Sequence, residues 1–357
     1  MIPKDDIDTP ALLLDLDVLE ANIAHVAQSC RANGVNWRPH FKGHKTIEIA
    51  KRQLAAGAIG ITCAKLGEAE ILAAAGVRDI LIANQIVGDA KIARLVRLLD
   101  MADVIVSVDS IENIAALAAA THGKRLRVVM EVNTGMNRAG VEPGEPALAL
   151  AAEIAKLPSL HLVGVMGWEA HATSIADPAL KEKTVATAIG LLTATADQCR
   201  KAGHDMRIVS CGGTGTFLYC VKQPGVTEVQ VGGAVLGDEH YRGHHNVNMP
   251  VSLTLLARVT SRPAPTRIIL DAGRKTMSAD TAIPRPLNVP PVADVWLSAE
   301  HARLELEAPS DTPRVGDRVE FVLGYTDTTV HLHEEIVAMR KGAVEAVWKV
   351  AGRGKIK

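Results

Sequence analysis

The organisation of the chain is legible in Val35-Asn36-Trp37-Arg38-Pro39-His40-Phe41-Lys42-Gly43-His44-Lys45. Val35 to Phe41 reads as a short extended segment, and Thr46 to Ala56 as an Ala-rich helical run, so this stretch is a strand-to-helix junction. Two lysines and two histidines crowd it. An α/β protein presents its chemistry at such junctions. A lysine there can condense with an aldehyde cofactor when its surroundings leave the amine free. The plainer alternative is a solvated basic loop.

Outward from this junction the same alternation repeats. Extended candidates lie at 35–41, 58–63, 79–83, 103–108, 126–132, 161–166, 206–211 and 228–234. Helical candidates fall between them at 45–56, 67–75, 89–100, 110–120, 145–156 and 178–202, with a short one near 215–222. Strand–helix alternation implies parallel pairing through right-handed crossovers. Eight such units predict a closed (β/α)8 barrel of TIM type, preceded by one further helix at 17–33. After Gly243 the pattern changes to apolar/polar alternation with turn signals, over 250–261, 266–270, 292–298, 302–307, 318–323 and 335–350. The fold class expected is therefore α/β, a barrel over 16–244 with a second, β-rich, barrel- or sandwich-like domain over 245–357. The apolar run Thr9 to Asp15 assigns 1–15 to that second domain, which makes it discontinuous.

Composition excludes several classes. Across 357 residues the net charge is −1, so no basic field favours nucleic acid or an anionic membrane. Aromatics make up 3%, too few for a single-strand stacking platform. No apolar run reaches the length of a membrane span, and the amino-terminal stretch lacks the apolar core of a signal peptide. Cys30, Cys63, Cys199, Cys211 and Cys220 form no CxxC pair and are odd in number, as expected of reduced thiols in a cytoplasmic protein.

Three glycine-bearing segments follow barrel strands. Glu131-Val132-Asn133-Thr134-Gly135-Met136-Asn137-Arg138 brings Arg138 to the carboxyl-terminal rim, where a guanidinium can hold a carboxylate or phenolate. Cys211-Gly212-Gly213-Thr214-Gly215-Thr216 follows the seventh strand, where barrel enzymes often bind phosphate. There Gly213 and Gly215 let backbone N–H groups approach an anion and Thr214 adds a hydroxyl, while Gly232-Gly233 would complete the cup. Gly167-Trp168-Glu169-Ala170-His171 carries a candidate general base, His171. In the second domain Tyr325 is a candidate acid/base group whose ordinary pKa would need lowering. Asp327, His331 and His333 are metal-ligand types there, as are Asp238, Glu239, His240, His244 and His245 near the junction. No spacing among them matches a specific metal motif, and polar loops are the plainer reading.

Together these segments resemble the fold-type III pyridoxal phosphate enzymes, in the D-threonine aldolase and D-serine dehydratase branch of the alanine racemase superfamily. The resemblance runs through Asp8-Thr9-Pro10-Ala11-Leu12, Arg38-Pro39-His40 with Lys42, Gly135-Met136 with Arg138 and Gly140, and Gly212 to Thr216. It continues through Thr227-Glu228-Val229-Gln230, Leu270-Asp271-Ala272-Gly273 and Ala351-Gly352-Arg353-Gly354-Lys355. It implies pyridoxal 5'-phosphate carried by Lys42 rather than Lys45. His40, Arg138, Gly213, Thr214, Gly215, Gln230 and Gly232 are the implied cofactor contacts. It further implies a lyase acting on β-hydroxy D-amino acids and hence a small-molecule substrate. A lid or rim contributed by the second domain suggests an active site at a domain or subunit junction, so a homodimer is expected.

One departure is plain. Relatives in this branch hold a divalent metal, magnesium, manganese or zinc, with a histidine, any residue, then aspartate or cysteine. The matching positions here are Tyr325, Thr326 and Asp327, so only Asp327 remains as a metal ligand. A metal-independent racemase or epimerase using Lys42 and Tyr325 or His171 as opposed bases is the alternative activity. A non-catalytic cofactor-binding protein is a third reading, against which the second domain counts.

Overall fold

A computed structural model describes residues 3–121 and 123–357; Met1, Ile2 and His122 lie outside the described residues. The first strand, β1 (Ala11–Asp15), is followed by α1 (Leu16–Ala32). Eight parallel strands then form one sheet: β2 (Asn36–Trp37), β3 (Ile61–Cys63), β4 (Asp79–Ile82), β5 (Asp103–Val108), β6 (Leu126–Glu131), β7 (Leu160–Met166), β8 (Ile208–Cys211) and β9 (Glu228–Val229). Each successive strand from β3 to β9 pairs with the next, and β9 pairs with β2. Backbone bonds from Thr62 N–H to Pro39 O (2.9 Å) and from Phe41 N–H to Thr62 O (2.7 Å) join β2 to β3 and close the barrel. Between the strands lie α2 (Ile47–Ala55), α3 (Leu66–Ala74), α4 (Asp89–Leu98), α5 (Ile111–Ala120), α6 (Glu145–Ala155), α7 (Pro178–Lys201) and the short α8 (Phe217–Cys220). The expected alternation is thus present, and its strands are apolar on both faces, as in β5, buried from Val104 to Val108.

Local chemistry sets the helix starts. Ser110 Oγ accepts Asn113 N–H ahead of α5, and Asp177 accepts Leu180 N–H ahead of α7, whose first residue is Pro178. The first and last barrel strands are shorter than expected. Only 36–37 and 228–229 pair as strands, because Pro39 carries no N–H for a ladder and the chain past Val231 turns into a 3-10 segment, Gly233–Val235.

The remainder continues with α9 (Glu239–Gly243), β10 (Leu253–Ala264), β11 (Arg267–Leu270), β12 (Arg285–Leu287), β13 (Val292–Leu297), β14 (Ala302–Leu306), β15 (Arg318–Val322), α10 (Thr326–Thr329), β16 (Glu335–Arg340) and β17 (Ala343–Lys349). Its sheet runs β13-β14-β11-β10-β1-β16-β17, with β15 joined to β10 and β12. All of its pairs are antiparallel except β1 with β16. Ile7, Leu13, Leu256, Val337 and Met339 form one core of this sheet. The apolar stretch 335–350, read as one segment, is a hairpin. Lys341 and Gly342 both take positive φ (50° and 79°), which suits a two-residue turn.

Two compact units emerge, Met1–Ile23 with Gly43–Glu48 and Gly233–Arg353, and Ala24–Lys42 with Ile49–Gly232 and Gly354–Lys357. The first therefore takes in more chain than 1–15 and 245–357. Backbone bonds explain this: Gly352 N–H reaches Lys45 O (2.9 Å), and Glu239 and His240 N–H reach Leu323 and Gly324 carbonyls (3.0 and 2.9 Å).

Candidate active site

Within the barrel unit, one face of the strands carries the buried core residues Leu81, Ile105, Val129 and Val163. Followed towards the carboxyl ends, that face becomes polar at Ser107 and Glu131. Glu131 is 5% exposed and accepts from Gln85 Nε2 (2.7 Å) and Ser107 Oγ (3.1 Å). Arg138 Nη2 lies 3.7 Å from the same carboxylate. A glutamate at the end of a buried strand is the signal that sequence reading passed over here, since such residues are rarely buried without a partner.

The loop carrying Arg138 is shaped by Asn133, whose Oδ1 accepts Gly135 and Asn137 N–H, both at 3.1 Å. Asp109 Oδ2 accepts Gly140 N–H (3.0 Å) and closes the loop. Gly135 has φ +112°, and a Cβ there would lie 3.1 Å from the His171 ring. The loops after β6 and β7 therefore touch at Gly135 and His171, and His171 itself is exposed, in the 3-10 turn Ala170–Ala172.

Trp168 gathers the cations. Lys42 Nζ lies 5.4 Å from its ring centroid and the Arg138 guanidinium carbon 5.0 Å. A Cβ on Gly213 would lie 3.0 Å from Trp168 Nε1, so the glycine loop after β8 abuts the same ring. In that loop Gly212 N–H is engaged by Glu169, and Thr216 and Phe217 N–H by Gly213 O. The N–H groups of Gly213, Thr214 and Gly215 have no acceptor among the described residues. Gly232 is a different case: a Cβ there would lie 2.2 Å from His40 O, so packing against the His40 backbone already demands glycine. Gln230 Nε2 donates to Ser210 Oγ (2.9 Å), and His40 Nδ1 accepts Lys42 N–H (3.3 Å).

Pyridoxal phosphate asks for an amine, an anion cradle and a flat neighbouring surface. Lys42, the three unengaged N–H groups with the Thr214 hydroxyl, and Trp168 meet those demands within one unit, so these residues fit the group.

The sheet unit holds Tyr325 and Asp327. Asp238, 2% exposed, accepts from Tyr241 N–H (2.8 Å), Thr326 N–H (2.9 Å) and Thr326 Oγ1 (2.8 Å), fixing this segment to α9. The His240 ring lies against Tyr325, with ring centroids 4.4 Å apart and planes tilted by 48°. Burial first, then the Asp327 charge, pushes the Tyr325 phenol far above its ordinary value. The lowering that an acid/base role in the ionised form requires is therefore reversed, and the phenol stays protonated.

These surroundings do not fit a divalent ion. A protonated phenol replaces the ligand histidine, His333 Nε2 is engaged with Thr276 O at 2.7 Å, and His331 is exposed. A Cβ on Gly43 would lie 2.7 Å from Asp327 Oδ1, which leaves little room at that carboxylate. Among the described residues, the one trio of ligand atoms close enough to share an ion is Glu169, Cys211 and Cys220 in the barrel unit, not a group around Asp327.

Comparison with known proteins agrees with this fold. The family profile described as alanine racemase, N-terminal domain, matches residues 14–240, and that described as putative serine dehydratase domain matches 252–339. D-threonine aldolase of Arthrobacter is 34% identical over 99% of this chain and 94% of its own length. 3-Hydroxy-D-aspartate aldolase of Paracoccus denitrificans is 33% identical over 99% and 94%. The crystal structure of D-threonine aldolase from Filomicrobium marinum superposes with a TM-score of 0.95 at 34% identity, covering 100% of this chain and 98% of that one. Barrel, mostly antiparallel second sheet and matched sequence agree along the chain: it belongs to the alanine racemase N-terminal-domain family, among the members that also carry the serine dehydratase domain.

Proposed function

We propose that this chain is a pyridoxal 5'-phosphate-dependent lyase that cleaves β-hydroxy D-amino acids such as D-threonine, D-serine or 3-hydroxy-D-aspartate, chiefly between Cα and Cβ. The observation that carries the reading is the meeting of Lys42, Arg138 and the Gly213 loop at one indole, Trp168. When bound, the cofactor supplies an electron sink for the pair left on the substrate Cα. Lys42 holds its aldehyde carbon. The N–H groups of Gly213, Thr214 and Gly215 hold its phosphate, and Arg138, set by Glu131 and Trp168, orients its phenolic oxygen. His40, Gln230 and Gly232 stand as the remaining contacts. His171 takes the proton from the β-hydroxyl as the Cα–Cβ bond breaks and the aldehyde leaves; a proton taken up at Cα then gives glycine.

Tyr325, held protonated, suits a hydrogen-bond donor; a racemase needs it ionised as a second base, which its environment opposes. No step is assigned to a divalent metal, because the donors around Asp327 do not fit one. The five buried, unbridged cysteines support a reducing, cytoplasmic compartment, and no helix among the described residues is long and apolar enough to cross a membrane. A homodimer is the proposed assembly, to be read by light scattering on a sizing column.

The test is incubation with D- and L-β-hydroxy amino acids, with and without chelator. Aldehyde plus glycine from the D series is the expected result. A 2-oxo acid with ammonia would make the chain a dehydratase, and inverted enantiomer alone would make it a racemase.

A further inference from the structure

Behind the glycine loop lies a buried cluster that the proposed reaction does not use. Glu169 is 0% exposed, and Thr216 (1%), Cys211 (1%) and Cys220 (0%) surround it. One carboxylate oxygen accepts from the Thr216 hydroxyl and from Cys220 Sγ at 3.3 Å; the other accepts Gly212 N–H at 3.4 Å. Burial first, with Cys211 and Glu169 adding to it, holds the Cys220 thiol well above its ordinary pKa, so it remains a donor. Glu169 thus grips the first residue of the loop, its last residue and the helix α8 beyond. The three N–H groups between those grips have no acceptor among the described residues. Its neighbour in sequence, Trp168, is the indole shared by Lys42, Arg138 and Gly213.

We infer that Glu169 is the positioning residue of the cofactor cradle: it takes up the donors at both ends of the Gly212–Thr216 loop and so presents the central N–H groups to a phosphate. The inference rests on the phosphate role proposed for that loop. A flexible glycine loop has many conformers, and an acceptor at each end removes most of them before the ligand arrives. The hydrogen bonds are made to a buried group, so losing them is costly.

The test compares binding of pyridoxal 5'-phosphate with binding of pyridoxal, which lacks the phosphate, by absorbance titration of the cofactor-stripped full chain. Glu169→Gln and Thr216→Val should weaken the phosphorylated ligand by roughly ten- to a hundredfold. Binding of pyridoxal should hold, and Thr216→Ser should restore the phosphate-dependent part. If Glu169→Gln does not fold, the Thr216 pair carries the test. Equal losses for both ligands, or none, would overturn the inference. A Gly213→Val chain that loses affinity while Glu169→Gln keeps it would overturn this inference alone. Affinity kept in Gly213→Val as well would remove the phosphate reading beneath it. One tightly held zinc per chain, lost in Cys220→Ser, would also overturn it, by making the cluster a metal site.

Discussion

Lys42 and Lys45 stand three residues apart, yet their surroundings differ in kind. Lys42 Nζ faces the Trp168 ring, whereas Lys45 has φ +50° and its carbonyl receives Gly352 N–H. Lys42→Ala should abolish the visible absorbance of bound cofactor and its fixation by borohydride, while Lys45→Ala keeps both. Mass mapping of the reduced adduct to Lys45 would reverse the assignment. At Tyr325 the phenol is kept protonated by burial and by Asp327. Tyr325→Phe should therefore lower kcat by about tenfold or more while leaving cofactor affinity in place, as expected of a group that matters in the transition state. Full turnover by that variant would remove Tyr325 from the reaction.

At the scale of elements, the barrel is held by interactions that sequence pattern did not single out. Arg38, 2% exposed, donates to Glu228 at 3.0 and 3.2 Å and also pairs with Asp79, so it ties the chain after β2 to the starts of β4 and β9. Arg38→Met strands the Glu228 carboxylate and should cost about 3–5 kcal/mol in denaturant unfolding. Adding Glu228→Leu should recover much of that loss, and a double variant as unstable as the single one would show that packing, not the stranded charge, is responsible. The glycine loop after β8 behaves differently. Gly213→Val must displace Trp168 from a 3.0 Å approach, so cofactor affinity should fall far more than the melting temperature of the apo chain. Unchanged affinity would reduce the loop to a turn.

For the whole molecule, Asp238 links folding to pH. Burial, opposed by its hydrogen bonds, raises its folded-state pKa from 3.8 to about 6. Between those values the folded chain holds a proton that the unfolded chain has released, so stability falls as pH rises across the window. The difference is on the order of 3 kcal/mol. Melting temperatures from pH 4 to 7 should show this decline in the native chain and a flatter profile in Asp238→Asn; parallel profiles would contradict it. A chelator should leave both turnover and melting temperature in place, and inactivation reversed by magnesium, manganese or zinc would restore the metal to this branch member. By itself, the sequence determined the eight-fold strand–helix alternation, the change to a β-rich second part and the glycine loop after the seventh barrel strand. Each of these is a local periodicity or a turn residue, which neighbouring positions alone can specify. Tertiary structure alone decided that Trp168 is shared by Lys42, Arg138 and Gly213, that Glu131 answers Arg138, and that His240 rather than a motif histidine lies against Tyr325. Glu131 and Arg138 meet across one loop whose shape Asn133 and Asp109 set, and the other pairs come from different strand ends or are separated by long stretches of chain. Burial, which sets the protonation of Tyr325 and Asp238, is likewise a property of the packed chain and has no local signature.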